Sequence, residues 1–194
     1  MKILITISKF LPEYSGPSKR IFELYTRLLK KKFLSSQNIQ IICGGEEYNF
    51  NKNYKINNLK VKRFKNTYSR KNYINFFSYL KNLFLCRKEI LSFKPDLIHV
   101  VGSNILTASA VLISRIYKIP LCIELVNSTA KPNQNFPILK YFWKPDLNKN
   151  VQIIAISKYL KNKCKKIGIK NIWYRPNPVN LKKFKLNIIK KKKK

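Results

Sequence analysis

Residues 94–128 read KPDLIHVVGSNILTASAVLISRIYKIPLCIELVNS, and the change of period inside this stretch decides the fold. Lys94-Pro95-Asp96 makes a turn, and Leu97-Ile98-His99-Val100-Val101 is a short apolar run ended by Gly102. From Ser103 the spacing turns helical, with Ile105, Leu106, Ala108, Val111, Leu112, Ile116 and Tyr117 on one side and Arg115 and Lys118 between them. Pro120 forbids further helix, and a second apolar run follows from Leu121 to Val126. Strand, amphipathic helix, strand predicts a βαβ unit whose parallel strands are buried under helices. Ligands of such sheets sit beyond the carboxyl ends of the strands. Val101-Gly102-Ser103 and the segment from Glu124 through Asn127 to Ser128 are therefore expected side by side on a site rim.

The same pattern extends in both directions. Met1 to Ile7 reads as a buried first strand, too short in its apolar part for a signal peptide. A long loop through Phe10, Pro12 and Gly16 follows, and Pro17 suits the first turn of a helix. Ile21, Phe22, Leu24, Tyr25, Leu28 and Leu29 form that helix's apolar stripe, and Ile39 to Cys43 a second buried strand. Residues 46–57 read as a polar surface loop, and Leu59 to Phe64 as a half-exposed strand on an edge. Arg70 to Phe93 predicts a helix whose start mixes aromatic and basic groups, a mixture suited to bases, to a lipid interface, or simply to a helix that buries its rings. Farther on, Ala130 to Pro137 is a loop and Ile138 to Trp143 a short helix. Val151 to Ile156 is a strand, and Lys158 to Ile167 a helix capped by Ser157 and Gly168. Asn171 to Tyr174 is a last strand, and Arg175 to Asn180 a rigid turn. The fold class is α/β, a Rossmann-like parallel sheet with helices on both faces. Residues 1–182 form the domain and 183–194 a basic tail expected to be disordered, with no apolar anchor from Lys190 to Lys194.

Composition narrows the function. A hydrophobic fraction of 45% and an aromatic fraction of 13% over 194 residues describe a globular chain. Lys+Arg 41 against Asp+Glu 8 gives a net charge of +33. Such a charge draws the chain to nucleic acid or an anionic membrane, and it also follows from a Lys-, Asn- and Ile-rich composition with no functional meaning. The four cysteines lack CxxC spacing and there is one histidine, so neither zinc nor another metal is expected, and a reduced, cytoplasmic setting is. No apolar run reaches the roughly 18 residues that span a bilayer. No GxGxxG follows the first strand and no GxxxxGK[ST] occurs, which excludes the nicotinamide or flavin fingerprint and the P-loop. Gly16 either makes a turn or leaves open backbone for an anion at a helix start. His99 reads as a general base or as a packed strand residue, and Asp96 as turn chemistry.

In order and spacing, several landmarks resemble the amino-terminal domain of a family 4 glycosyltransferase of the GT-B type. They are Phe10, Pro12 and Gly16; Lys94-Pro95-Asp96-Leu97-Ile98-His99; Lys118-Ile119-Pro120; Ile154-Ala155-Ile156-Ser157; and Pro176-Asn177-Pro178-Val179-Asn180 with Phe184. The resemblance implies metal-independent transfer of a sugar from a nucleotide-sugar to a glycan or lipid-linked acceptor, as in cell-envelope polysaccharide assembly. No cofactor is implied, the nucleotide-sugar being a substrate. Mapped by motif, Gly16, Pro17, Ser18 and Lys19 face the donor phosphate, and Gly102, Ser103, Glu124, Asn127 and Ser128 approach the acceptor. Asn177 and Pro178 mark the hinge between halves, and catalytic residues stay unassigned. Departures are the single loop glycine followed by Pro17, Glu124 and Asn127 where many members carry a histidine, and Pro178 and Asn180 in the hinge. The donor-binding carboxyl-terminal half is expected to be lost or supplied by a separate chain, so little activity is expected from this chain alone. A seat on the inner face of the plasma membrane fits the charge, as does a non-catalytic module binding nucleic acid or membrane.

Overall fold

The computed structural model describes residues 1–44, 52–64, 76–102, 105–126, 150–166 and 168–178. Among the described residues eight strands form one sheet, ordered β3-β4-β2-β1-β5-β6-β7-β8. They are β1 Ile3–Lys9, β2 Ile39–Gly44, β3 Lys52–Ile56, β4 Leu59–Arg63, β5 Leu97–Val101, β6 Leu121–Leu125, β7 Val151–Ala155 and β8 Ile172–Tyr174. The described helices are α1 Gly16–Lys30, α2 Phe76–Phe93, α3 Ile105–Ile116 and α4 Lys158–Lys166, with a 3₁₀ turn at Ser36–Asn38. Every neighbouring pair is parallel except β3 with β4.

Continuous apolar strands need cover on both faces, and two clusters supply it. On one face Ile3, Ile5 and Ile7 of β1 and Ile39 and Ile41 of β2 pack beneath Ile21 and Tyr25 of α1. On the other, Leu4, Ile42, Ile98 and Ile123 meet Cys86 and Ile90 of α2, Leu106 and Ile113 of α3, and Leu160 of α4. Because β2 lies on one side of β1 and β5 on the other, the strand order reverses between β1 and β5, the switch point at which doubly wound sheets bind ligands.

Two expectations are corrected. Leu59–Arg63 is an inner strand, and the true edge is Lys52–Ile56, inside the stretch expected to be a loop. Asn57 and Asn58 have φ of 44° and 66°, both left-handed, and Asn tolerates that region well enough to close a two-residue hairpin. The sheet is accordingly mostly parallel rather than wholly so. The expected loop 130–137, the helix 138–143 and the tail lie outside the described residues, as do Ser103, Asn127 and Ser128.

The helices end in an economical way. Lys32, Lys118 and Gly168 take positive φ of 59°, 54° and 85° after α1, α3 and α4. The next residue's amide reaches back five positions in each case: Phe33 to Leu28, Ile119 to Ser114 and Ile169 to Cys164. These are Schellman closures, with lysine twice in the place glycine usually fills.

Candidate functional site

One register row crosses the sheet near its carboxyl edge: Ile7, Val101, Glu124, Ile154 and Trp173 are successive partners on β1, β5, β6, β7 and β8. Side chains alternate along a strand, so this row lies on the face that α1 covers. Four members are apolar and one is a carboxylate. Glu124 is 0% exposed. A buried carboxylate must find cations and donors or lose its charge.

Glu124 finds three partners. Arg20 of α1 donates through Nη1 to Oε1 at 2.5 Å, and Arg175, just past β8, donates through Nη2 to the same oxygen at 2.8 Å. Oε2 faces Nε2 of His99 at 3.4 Å, a contact longer than a formed hydrogen bond. His99 pairs with Cys122 in register, so Glu124 is its diagonal neighbour on the same face. The other ring nitrogen, Nδ1, lies 2.8 Å from the Tyr25 hydroxyl. If Nε2 carries the proton toward the carboxylate, Nδ1 accepts and the phenol donates. Burial pushes the Glu124 carboxyl upward, but His99, Arg20 and Arg175 together outweigh it and bring it down to about 2. Burial likewise keeps the Tyr25 phenol protonated, its titration pushed far above the ordinary range. His99 is therefore packed between a phenol and a carboxylate, beneath the surface rather than open to a substrate.

Above this network a groove of about 660 Å³ runs along α1. Gly16, Pro17 and Lys19 line one side, with Arg20, Glu23 and Arg27 continuing it; Val126, Ile156, Arg175, Asn177 and Pro178 line the other. Arg20 spans the two sides, since its Nη1 also donates to Oδ1 of Asn177 at 2.8 Å. Arg175 in turn stacks its guanidinium 5.5 Å from the Trp173 ring centroid. Four cations of the groove and its floor (Lys19, Arg20, Arg27, Arg175) stand against two carboxylates (Glu23, Glu124), so the groove favours an anionic ligand.

The loop that leads into α1 is held from the far side of the sheet. Arg63 of β4 donates to the Phe10 carbonyl at 2.9 Å, and Tyr54 of β3 donates to the Leu11 carbonyl at 2.5 Å. Ser15 then caps α1: its Oγ accepts from the Ser18 amide at 3.2 Å, while the Ser18 hydroxyl accepts from the Ser15 amide at 2.9 Å. This is a reciprocal capping box with serine in the reaching-back position. Ser18 is thereby buried and committed to the cap, so Lys19 and Arg20 carry the charge that this helix start presents.

Of the residues singled out in the sequence, Gly16, Pro17, Lys19, Asn177 and Pro178 come together on the groove. Gly102 ends β5 with φ of 76°, and its amide donates to the Glu124 carbonyl at 3.1 Å, so the two rim positions are adjacent as expected. Asp96 sits at the opposite edge, where its carboxylate accepts from the Lys2 amide at 2.6 Å, a long-range tie to the start of β1 in place of the local turn bond expected. Arg20, Arg175 and Tyr25 are the members that sequence reasoning missed. The signal was Glu124 itself, an acid in an apolar strand that required a cation.

No family model matches the chain, and no curated protein matches it. Among solved structures it is similar to a glycosyltransferase from Rickettsia africae ESF-5, with 14% identity and a TM-score of 0.59 over 93% of this chain and 44% of that one. It is similar also to the UDP-GlcNAc 2-epimerase of Methanocaldococcus jannaschii in complex with UDP-GlcNAc and UDP, with 18% identity and a TM-score of 0.59 over 90% of this chain and 46% of that one. A third is the UDP-GlcNAc 2-epimerase of Neisseria meningitidis bound to UDP-GlcNAc, with 14% identity and a TM-score of 0.54 over 90% and 45%. The fold is that of one Rossmann-like half of the GT-B architecture. The chain spans about half the length of these structures. A transferase and epimerases share the architecture, so function has to be argued from the site.

Proposed function

We propose that this chain is the acceptor-side half of a family 4 glycosyltransferase, moving a sugar from a nucleotide-sugar to a glycan or lipid-linked acceptor. One observation carries the reading: the Gly16 loop and the Asn177 turn, two landmarks of the resemblance far apart in the chain, line one basic groove at the carboxyl edge. In the transfer the bond from the anomeric carbon to the phosphate oxygen breaks, and the nucleoside diphosphate leaves with the electron pair. The acceptor hydroxyl oxygen bonds to the anomeric carbon, and its proton passes to the departing diphosphate or to water. Lys19 and Arg20 are suited to the charge that grows on the departing diphosphate, as fixed cations act where charge develops. Gly16, Pro17 and Ser18 shape that helix start. Gly102, Ser103, Glu124, Asn127 and Ser128 belong to the acceptor side, with Glu124 acting through the arginines it holds. Asn177 and Pro178 form the passage to a donor-binding half, present on this or another chain.

The test supplies that half. The protein is combined with a donor-binding partner, nucleotide-sugars and envelope glycan or lipid-linked acceptors, and product is followed by mass spectrometry. Transfer that needs both halves, and that drops roughly a hundredfold in Arg20→Ala, is the expected result. Neither transfer nor acceptor binding would sink the reading. An epimerised nucleotide-sugar formed without acceptor would replace it with isomerase chemistry.

A further inference from the structure

The face of α2 turned away from the core mixes cations with large apolar side chains. Leu80, Phe84 and Leu91 recur at intervals of four and seven, so they fall on one stripe with Arg87, and all three are exposed, Phe84 to 72%. The stripe continues onto the end of α3, where Ile116 and Tyr117 are exposed and the Tyr117 hydroxyl accepts from Nε of Arg87 at 2.9 Å. Lys81 and Lys88 flank it on α2, and Lys118 follows it on α3, each exposed. Large apolar side chains in open water at helical spacing are unusual enough to mark a contact surface.

We propose that this α2–α3 stripe is where the protein seats itself on an anionic lipid bilayer. Charge complementarity chooses the occupant. The chain carries +33, and of its 8 carboxylates Glu13, Glu89 and Glu124 are buried, so even fewer acids offset the surface lysines. Two copies docked through this stripe would bring like charges together. Nucleic acid would use the cations but has no place for Leu80 and Leu91. An anionic bilayer satisfies both, taking the apolar groups below its headgroups and the lysines among them. No described helix is long and apolar enough to cross a membrane, so α2 lies in the interface. Helix α2 joins parallel strands by returning from the carboxyl edge to the amino edge. Its first half, with Leu80 and Phe84, therefore stands toward the edge that carries the groove. A membrane-borne acceptor would be presented there, although the docking itself does not depend on sugar transfer.

Sedimentation with vesicles of phosphatidylcholine, and of phosphatidylcholine with phosphatidylglycerol, tests the proposal on the whole chain. Binding to the second kind only is expected. Phe84→Ser with Leu91→Ser should weaken it roughly tenfold or more. Lys81→Gln and Lys88→Gln should each weaken it about fivefold, whereas Lys30→Gln with Lys32→Gln, at the end of α1 on the opposite face, should change it by about twofold or less. Unchanged far-ultraviolet dichroism would show that the variants fold. Vesicle binding indifferent to Phe84 and Leu91, or equal on both vesicles, would overturn the proposal. So would a dimer or an oligonucleotide complex that the Phe84→Ser, Leu91→Ser variant abolishes.

Discussion

Glu124 is the residue on which two distant parts of the chain converge, holding Arg20 of the first helix and Arg175 past the last strand at once. Its carboxyl is held at about 2, below the ordinary 4.5. A lowered native value means stability that is fully present above pH 4.5 and lost as the pH falls toward 2, a difference worth ~3 kcal/mol for a wholly buried group. Urea melts across that window should show it in the native protein, and Glu124→Gln should lack that part of the slope while being ~3 kcal/mol less stable at neutral pH. A native-like slope in the variant would mean that other carboxylates carry it. Gly102 makes a second residue-scale case. Its φ is 76° and an added Cβ would lie 3.2 Å from Cγ2 of Val126, so Gly102→Ala should cost ~1–2 kcal/mol in thermal or urea unfolding. Glu124 was legible in the sequence as an acid out of place among Leu121, Ile123 and Leu125. Its partners were not, because nothing local links position 124 to positions 20 and 175.

Among the elements, those with a strong period were readable and those held by partners were not. The stripe from Ile21 to Leu29 and the apolar runs of β1, β2, β5 and β6 announce themselves, since buried parallel strands leave continuous hydrophobic segments. The edge strand Lys52–Ile56 carries three residues of polar or charged type around Tyr54, and only its pairing with β4 makes it a strand. That matters for the site, because Tyr54 and Arg63 anchor the loop before α1. The helix ends also yield a measurable consequence. Lys32 is exposed at a φ of 59°, a conformation costly for a side-chain-bearing residue and free to glycine. Lys32→Gly should therefore raise stability by ~0.5–1 kcal/mol, against the usual direction of a glycine substitution near a helix. A lowered midpoint in thermal unfolding would count against the Schellman closure of α1.

At the scale of the whole molecule, the half-GT-B fold puts the switch point, the capped start of α1 and the Asn177 turn on one edge, while Lys94, Lys118 and Asn150 mark the turns of the other. We propose that the basic groove along α1 is the ligand-binding wall. Backbone amide shifts of the isotope-labelled chain, titrated with uridine diphosphate and with glycan acceptors at physiological salt, test it most directly. Saturable shifts should cluster at Gly16 to Arg20, Gly102, Val126 and Arg175 to Asn177, and Arg20→Ala should remove those caused by the diphosphate. Shifts centred instead on Lys94, Lys118 and Asn150, or spread over surface lysines and erased by salt, would contradict it.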